Sequence, residues 1–168
     1  MTEQQEASED AVMTRIGQAA ILLHAGDREE ARNRLGEIWS EIGTEGDSLH
    51  RCTLAHYLAD AQDDPAEELA WDLRALAAAH AEADGDGPGP PPAVRVFYPS
   101  LHLSLAADYV KLRRPEAARI HLARARAATG ALADDGYGNG VRAAIARLER
   151  RLAAEPGEGP RPFPEQNQ

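Results

Sequence analysis

The chain has 168 residues, 43% apolar, 27% charged and 5% aromatic, enough for one core of ordinary size and little more. Alanine (33), leucine (17) and arginine (17) dominate against a single lysine, a mixture that favours helix and offers few β-branched residues for strands. One cysteine, Cys52, excludes an internal disulfide and a cysteine-rich zinc module, and it fits a reducing compartment. The acidic opening MTEQQEASED does not read as a secretory signal and no apolar run approaches a membrane span, so the expectation is a cytoplasmic, all-α domain with no membrane partner.

Charge is distributed unevenly. Residues 1–93 carry 20 acidic and 6 basic side chains and residues 94–153 carry 5 and 11, so a net −14 is followed by a net +6. The overall acidity, pI about 5.0, argues against nucleic acid as a partner. The opposed halves leave room for a homo-oligomer in which the acidic part of one copy meets the basic part of the next.

Residues 1–10 show no apolar stripe and are expected to be disordered. From residue 11, Val12, Ile16, Ala19, Ala20 and Leu23 fall at three- and four-residue steps, one face of a helix that Gly26 can end. Asp27 with Glu30 reads as an acidic capping box for a second helix through Ile42, with Leu35, Ile38 and Ile42 as its stripe and Gly43 as its stop. Ser48 can cap a third helix carrying Leu49, Cys52, Leu54, Ala55 and Leu58. Asp64 followed by Pro65 starts a fourth, to about residue 82. The segment 83–93, ADGDGPGPPPA, is too rich in glycine and proline for helix or strand and reads as an inserted loop. Beyond it Pro99 and Pro115 mark the starts of two helices, the first with Leu101, Leu105, Tyr109 and Leu112 inward, the second with Ala118, Leu122 and Ala125, stopped by Gly130. Gly136–Gly140 reads as a flexible turn before a last amphipathic helix near 138–154, and residues 155–168 as a disordered tail. One helical domain over 11–154 is the predicted organisation.

Three helix pairs of similar size invite a test for repeats. In the third pair His102, Leu105, Ala106 and Tyr109, then Ala118 and Leu122, take the spacing of the tetratricopeptide pattern. The chain resembles a tetratricopeptide repeat (TPR) protein there. The same template lays Arg15, Gln18, Ala19, Leu22, Ala31 and Leu35 on the first pair, and Arg51, Leu54, Ala55, Leu58, Glu67 and Trp71 on the second, where Glu67 replaces the usual small residue. Equivalent positions are 36 residues apart (31 to 67) and then 51 apart (67 to 118), so the segment 83–93 reads as an insertion into a period of about 34 residues. The resemblance implies a right-handed array of antiparallel helix pairs, a TPR-like α-solenoid, closed by a C-terminal capping helix.

It also implies a concave groove lined by the first helix of each pair. Carried over, the groove positions are Met13, Ile16, Ala20, Leu23 and His24; Leu49, Cys52, His56, Ala59 and Asp60; and Ser100, Leu103, Ala107, Val110 and Lys111. His24, Asp60 and Lys111 would form a polar ladder beside apolar contacts from residues such as Leu103 and Val110, suited to a segment of another protein. The expected function is therefore a protein- or peptide-binding adaptor, not an enzyme, with His24, Cys52, His56, Asp60, Leu103, Val110 and Lys111 as ligand-binding residues. Cys52, His56 and Asp60 stand four apart on one helix face, and an alternative is a metal site or a Cys–His nucleophile built on them. No phosphate loop, Rossmann fingerprint, nucleophile elbow or H-E-x-x-H pair occurs, so no cofactor and no metal is expected. Tyr57, Phe97 and Tyr98 read as anchors for a partner or as lids on the core, and Trp39 and Trp71 as inter-helix filling.

Overall fold

The computed structural model describes residues 3–81 and 92–154. Regular structure among them is entirely helical: α1 Glu3–His24, α2 Arg28–Ile42, α3 Ser48–Asp60, α4 Pro65–Ala81, a single turn α5 Pro92–Arg95, α6 Tyr98–Lys111, α7 Pro115–Ala127, a 3-10 turn Thr129–Ala131, and α8 Gly136–Ala154. The tail at 155–168 and the insertion as far as residue 91 lie outside the described residues; Pro92 and Ala93, expected in the loop, begin α5.

α1 pairs with α2, α3 with α4, and α6 with α7, and each pair rests on the next through α2 on α3 and α4 on α6; α8 covers α7 and part of α6. Three clusters fill the seams. Ile16, Leu23, Leu35, Ile38, Leu54 and Leu58 join α1, α2 and α3. A small-residue cluster of Cys52, Ala55, Ala75, Ala78 and Ala79 lets α3 and α4 approach closely, with Val94 and Leu101 above it. Ala106, Ala118, Leu122, Ala125, Val141, Ile145 and Leu152 join α6, α7 and α8. Each fully buried leucine or isoleucine contributes roughly 1.5–3 kcal/mol of transfer free energy. Trp39 and Trp71 meet edge to face at 5.1 Å and tie the first cluster to the second, the filling role expected of them.

Several local expectations are corrected. α1 begins at Glu3, so most of the N-terminal ten residues extend the first helix; Glu and Gln are good helix formers, and early acidic residues complement the helix dipole. Asp27 makes no side-chain capping bond. At α3 the cap is Asp47, one residue before Ser48, and its carboxylate accepts from the Leu49 and His50 amides. Gly136–Gly140 forms the first turn of α8. Asp135 accepts from the Gly138 amide at 2.8 Å, and a Cβ at Gly138 would lie 2.1 Å from the Ala133 carbonyl oxygen, so close backbone approach accounts for that glycine.

The turns of the first and third pairs share one hydrogen-bond scheme. Asp27 N donates to Leu22 O and Gly26 N to Leu23 O; Arg114 N donates to Tyr109 O and Arg113 N to Val110 O. Both are Schellman-type C-caps with a left-handed residue, Gly26 (φ 92°) in one and Arg113 (φ 59°) in the other. No helix of the described residues is long and apolar enough to cross a membrane.

Candidate functional site

Three helix faces carry ionisable residues at one-turn spacing: His56 and Asp60 on α3, Glu68 and Asp72 on α4, Asp108 and Lys111 on α6. The packing of α3 on α4 and of α4 on α6 brings these faces together. Lys111, the only lysine of the chain, donates from Nζ to both Glu68 carboxylate oxygens at 2.9 Å. His56 lies between two carboxylates, with Nε2 3.8 Å from Asp60 Oδ2 and Nδ1 3.5 Å from Asp72 Oδ1. Both distances are too long for good hydrogen bonds, and His56 Nδ1 and Asp72 Oδ1 are buried without one.

Asp72 and Asp108 are 2% and 1% exposed. Neither oxygen of Asp108 meets a donor, and Glu68, Asp72 and Asp108 bring carboxylate oxygens within 4.8 Å of one another. Burial, reinforced by the neighbouring Asp72 and Glu68, pushes the Asp108 carboxyl up to about 11, so it holds a proton at neutral pH. Burial also raises Asp60, against the opposing pull of His56 and His24. For His56 burial acts downward, but Asp72 and Asp60 outweigh it and hold the imidazole above its ordinary value.

Above this cluster opens a cleft of about 600 Å³ lined by Leu23, His24, Arg28, Asp60, Gln62, Asp63, Pro65, Glu68 and Lys111. His24, Asp60 and Lys111 close the last turns of α1, α3 and α6, so the three rungs of the expected ladder do meet around one opening. One wall is fixed by Arg28, which donates to the Gln62 carbonyl at 2.9 Å and to Asp63 at 3.2 Å.

The other expected site residues do not line this cleft. His56 and Cys52, with Tyr57, Phe97, Ser100, Leu101 and Tyr137, line a separate cavity of about 190 Å³ across which Ser100 and Tyr137 share a hydrogen bond. Cys52 is 4% exposed and packed in the alanine seam; burial, then the charge of Asp72, pushes its thiol up to about 11. A thiol so held is a poor nucleophile and a poor ligand, and among the described residues Cys52, His56 and Asp60 do not converge on a common point. Leu103 and Val110 are half-buried against the α6–α8 cluster, not in the cleft. Ile16 and Ala59, also groove positions of the resemblance, are core residues. Tyr98 stacks obliquely on His80, while Tyr57 and Phe97 face the smaller cavity.

Glu68, Asp72 and Asp108 were not among the expected site residues. Their signal in the sequence is an acid on an apolar stripe: Asp108 continues Leu101 and Leu105, and Asp72 precedes Ala75 and Ala79. The partnership across α4 and α6 has no signature in spacing.

No family model matches the chain, and neither a curated protein nor a solved structure matches it.

Proposed function

We propose that the chain is a TPR-like array of three helix pairs capped by α8, which acts in the cytoplasm without catalysis by binding a segment of another protein in the cleft at the ends of α1, α3 and α6. The observation that carries this reading is the convergence of His24, Asp60 and Lys111, contributed by three successive helix pairs, around one open cleft of about 600 Å³. A site assembled from the same position of each pair suits an elongated ligand that runs across the pairs. The walls carry both signs, Asp60, Asp63 and Glu68 against Arg28 and Lys111, so recognition would rest on charge-assisted hydrogen bonds over a small apolar contact at Leu23. Partly exposed pairs such as Lys111–Glu68 contribute little to stability and can be exchanged for a ligand's charges at little cost.

The test is site-specific photocrosslinking in the source cell, with benzoylphenylalanine at Asp63 in the cleft and at Ile120, an exposed residue of α7. The expected result is one partner segment captured from position 63 and not from 120, lost in Asp60→Arg with Lys111→Glu, and binding the purified chain as a synthetic peptide. Capture from both positions alike, or none from 63, would overturn the reading.

A further inference from the structure

Glu68 and Asp72 project from adjacent turns of α4, and Asp108 reaches toward them from α6. The protein meets their demand for positive charge unequally. Lys111 satisfies Glu68, His56 Nδ1 stands 3.5 Å from Asp72, and no donor reaches either oxygen of Asp108, which is 1% exposed. A buried carboxylate aimed at two others and left without a donor costs several kcal/mol unless a proton or a cation joins it.

We propose that Glu68, Asp72 and Asp108 bind a hard divalent cation, of the size of Mn²⁺ or Ca²⁺, which enters from the cleft. Oxygens up to 4.8 Å apart are spanned by metal–oxygen bonds of about 2.2–2.5 Å, whereas Mg²⁺ requires a tighter octahedron. The three ligands are oxygens with no thiolate or imidazole among them, which selects oxygen-preferring ions over zinc or copper. Three carboxylates, the Lys111 ammonium and a dication carry no net charge together, so the ion completes the cluster without displacing the lysine. Access is present, because Glu68 belongs both to the cluster and to the cleft wall. His56, beside Asp72 but outside the ligand set, would orient that carboxylate. Binding would release the proton that Asp108 otherwise keeps. This site goes beyond the peptide-binding reading and does not depend on it.

Calorimetric titration of the full chain, stripped with a chelator, with MnCl₂, CaCl₂, MgCl₂ and ZnCl₂ separately tests the proposal. One Mn²⁺ or Ca²⁺ per chain, with a rise in melting temperature, is expected. Asp108→Asn should bind at least about tenfold more weakly while keeping its helical circular dichroism, and Glu68→Gln, at a partly exposed ligand, should do the same. Glu149→Gln, paired with Arg126 on another face, should bind as the wild type does. No stoichiometric ion at millimolar concentration, binding of zinc alone, or undiminished binding in both ligand variants would overturn it.

Discussion

Where α6 faces α7, His102 stacks on His121 with ring centroids 5.3 Å apart and a hydrogen bond of 3.1 Å between their Nδ1 atoms. Where the same helix faces α4, Asp108 lies against Asp72 and Glu68 with no donor for either oxygen. Burial is the largest cause in both places and favours the neutral form in both, yet the outcomes are opposite in proton count: His102 is pushed down to about 4 and gives its proton up, whereas Asp108 is pushed up to about 11 and keeps one. The histidines complete their own bonding, one ring donating to the other, and Tyr109 stacks on the outer ring at 5.4 Å. Three carboxylates cannot do the same, having only acceptors until a proton or cation arrives. One face of α6 is a finished packing contact, and the other adjoins a carboxylate cluster in which Asp108 meets no protein donor and Glu68 also lines the open cleft.

The largest expected effect breaks what the two faces share. Leu105 is fully buried on α6 between the turns that carry His102 and Asp108, and Leu105→Ala should cost about 2–5 kcal/mol in chemical denaturation. A pH series separates the faces. An unfolded histidine titrates near 6.5 and His102 near 4, so between these values the unfolded chain binds a proton that the folded chain refuses. The contribution of His102 is therefore complete above about pH 6.5 and is lost as pH falls toward 4. The groups facing it, His121, Arg124 and His80, all act in the same downward direction. The stability advantage of the wild type over His102→Gln should shrink by up to about 2 kcal/mol between pH 7 and pH 4.5. An advantage constant with pH would mean that His102 titrates normally.

On the other face, Asp108→Asn in metal-free protein should be within about 1 kcal/mol of wild type at pH 7, or more stable, because the amide replaces a carboxyl that is already neutral. A loss of several kcal/mol would show instead that the carboxylate is ionised and paired. The smallest effect lies in the turn that follows α6. Arg113 holds the left-handed conformation that Gly26 adopts freely in the equivalent turn, so Arg113→Gly should raise stability by about 1 kcal/mol and Gly26→Ala should lower it by a similar amount.

Helix positions were legible because their signals are local. Pro65 and Pro115 open α4 and α7, and the Leu35–Ile38 and Leu54–Leu58 steps mark buried faces. The start of α1 was missed because residues 3–10, polar but for Ala7, carry no stripe, and the cap of α3 by one residue because Asp47 and Ser48 are both good N-caps. The rim of the cleft was legible for a similar reason: His24, Asp60 and Lys111 hold the same final-turn position in three helices, so register alone brings them together. The carboxylate cluster beside it was not. Asp72 and Asp108 each stand on an apolar stripe, but nothing in their spacing pairs them, and only the packing of α4 against α6 makes them neighbours. Leu103 and Val110 failed as groove residues because α8 and α7 supply apolar partners that a single-repeat template omits.

The most direct test of the cleft as a binding site is native mass spectrometry of the chain purified from its own source cell, alongside Asp60→Arg with Lys111→Glu. A polypeptide at fixed stoichiometry on the wild type, absent from the double variant and indifferent to chelator, is the predicted result. A bare chain in both preparations, or a partner retained by the variant, would contradict it.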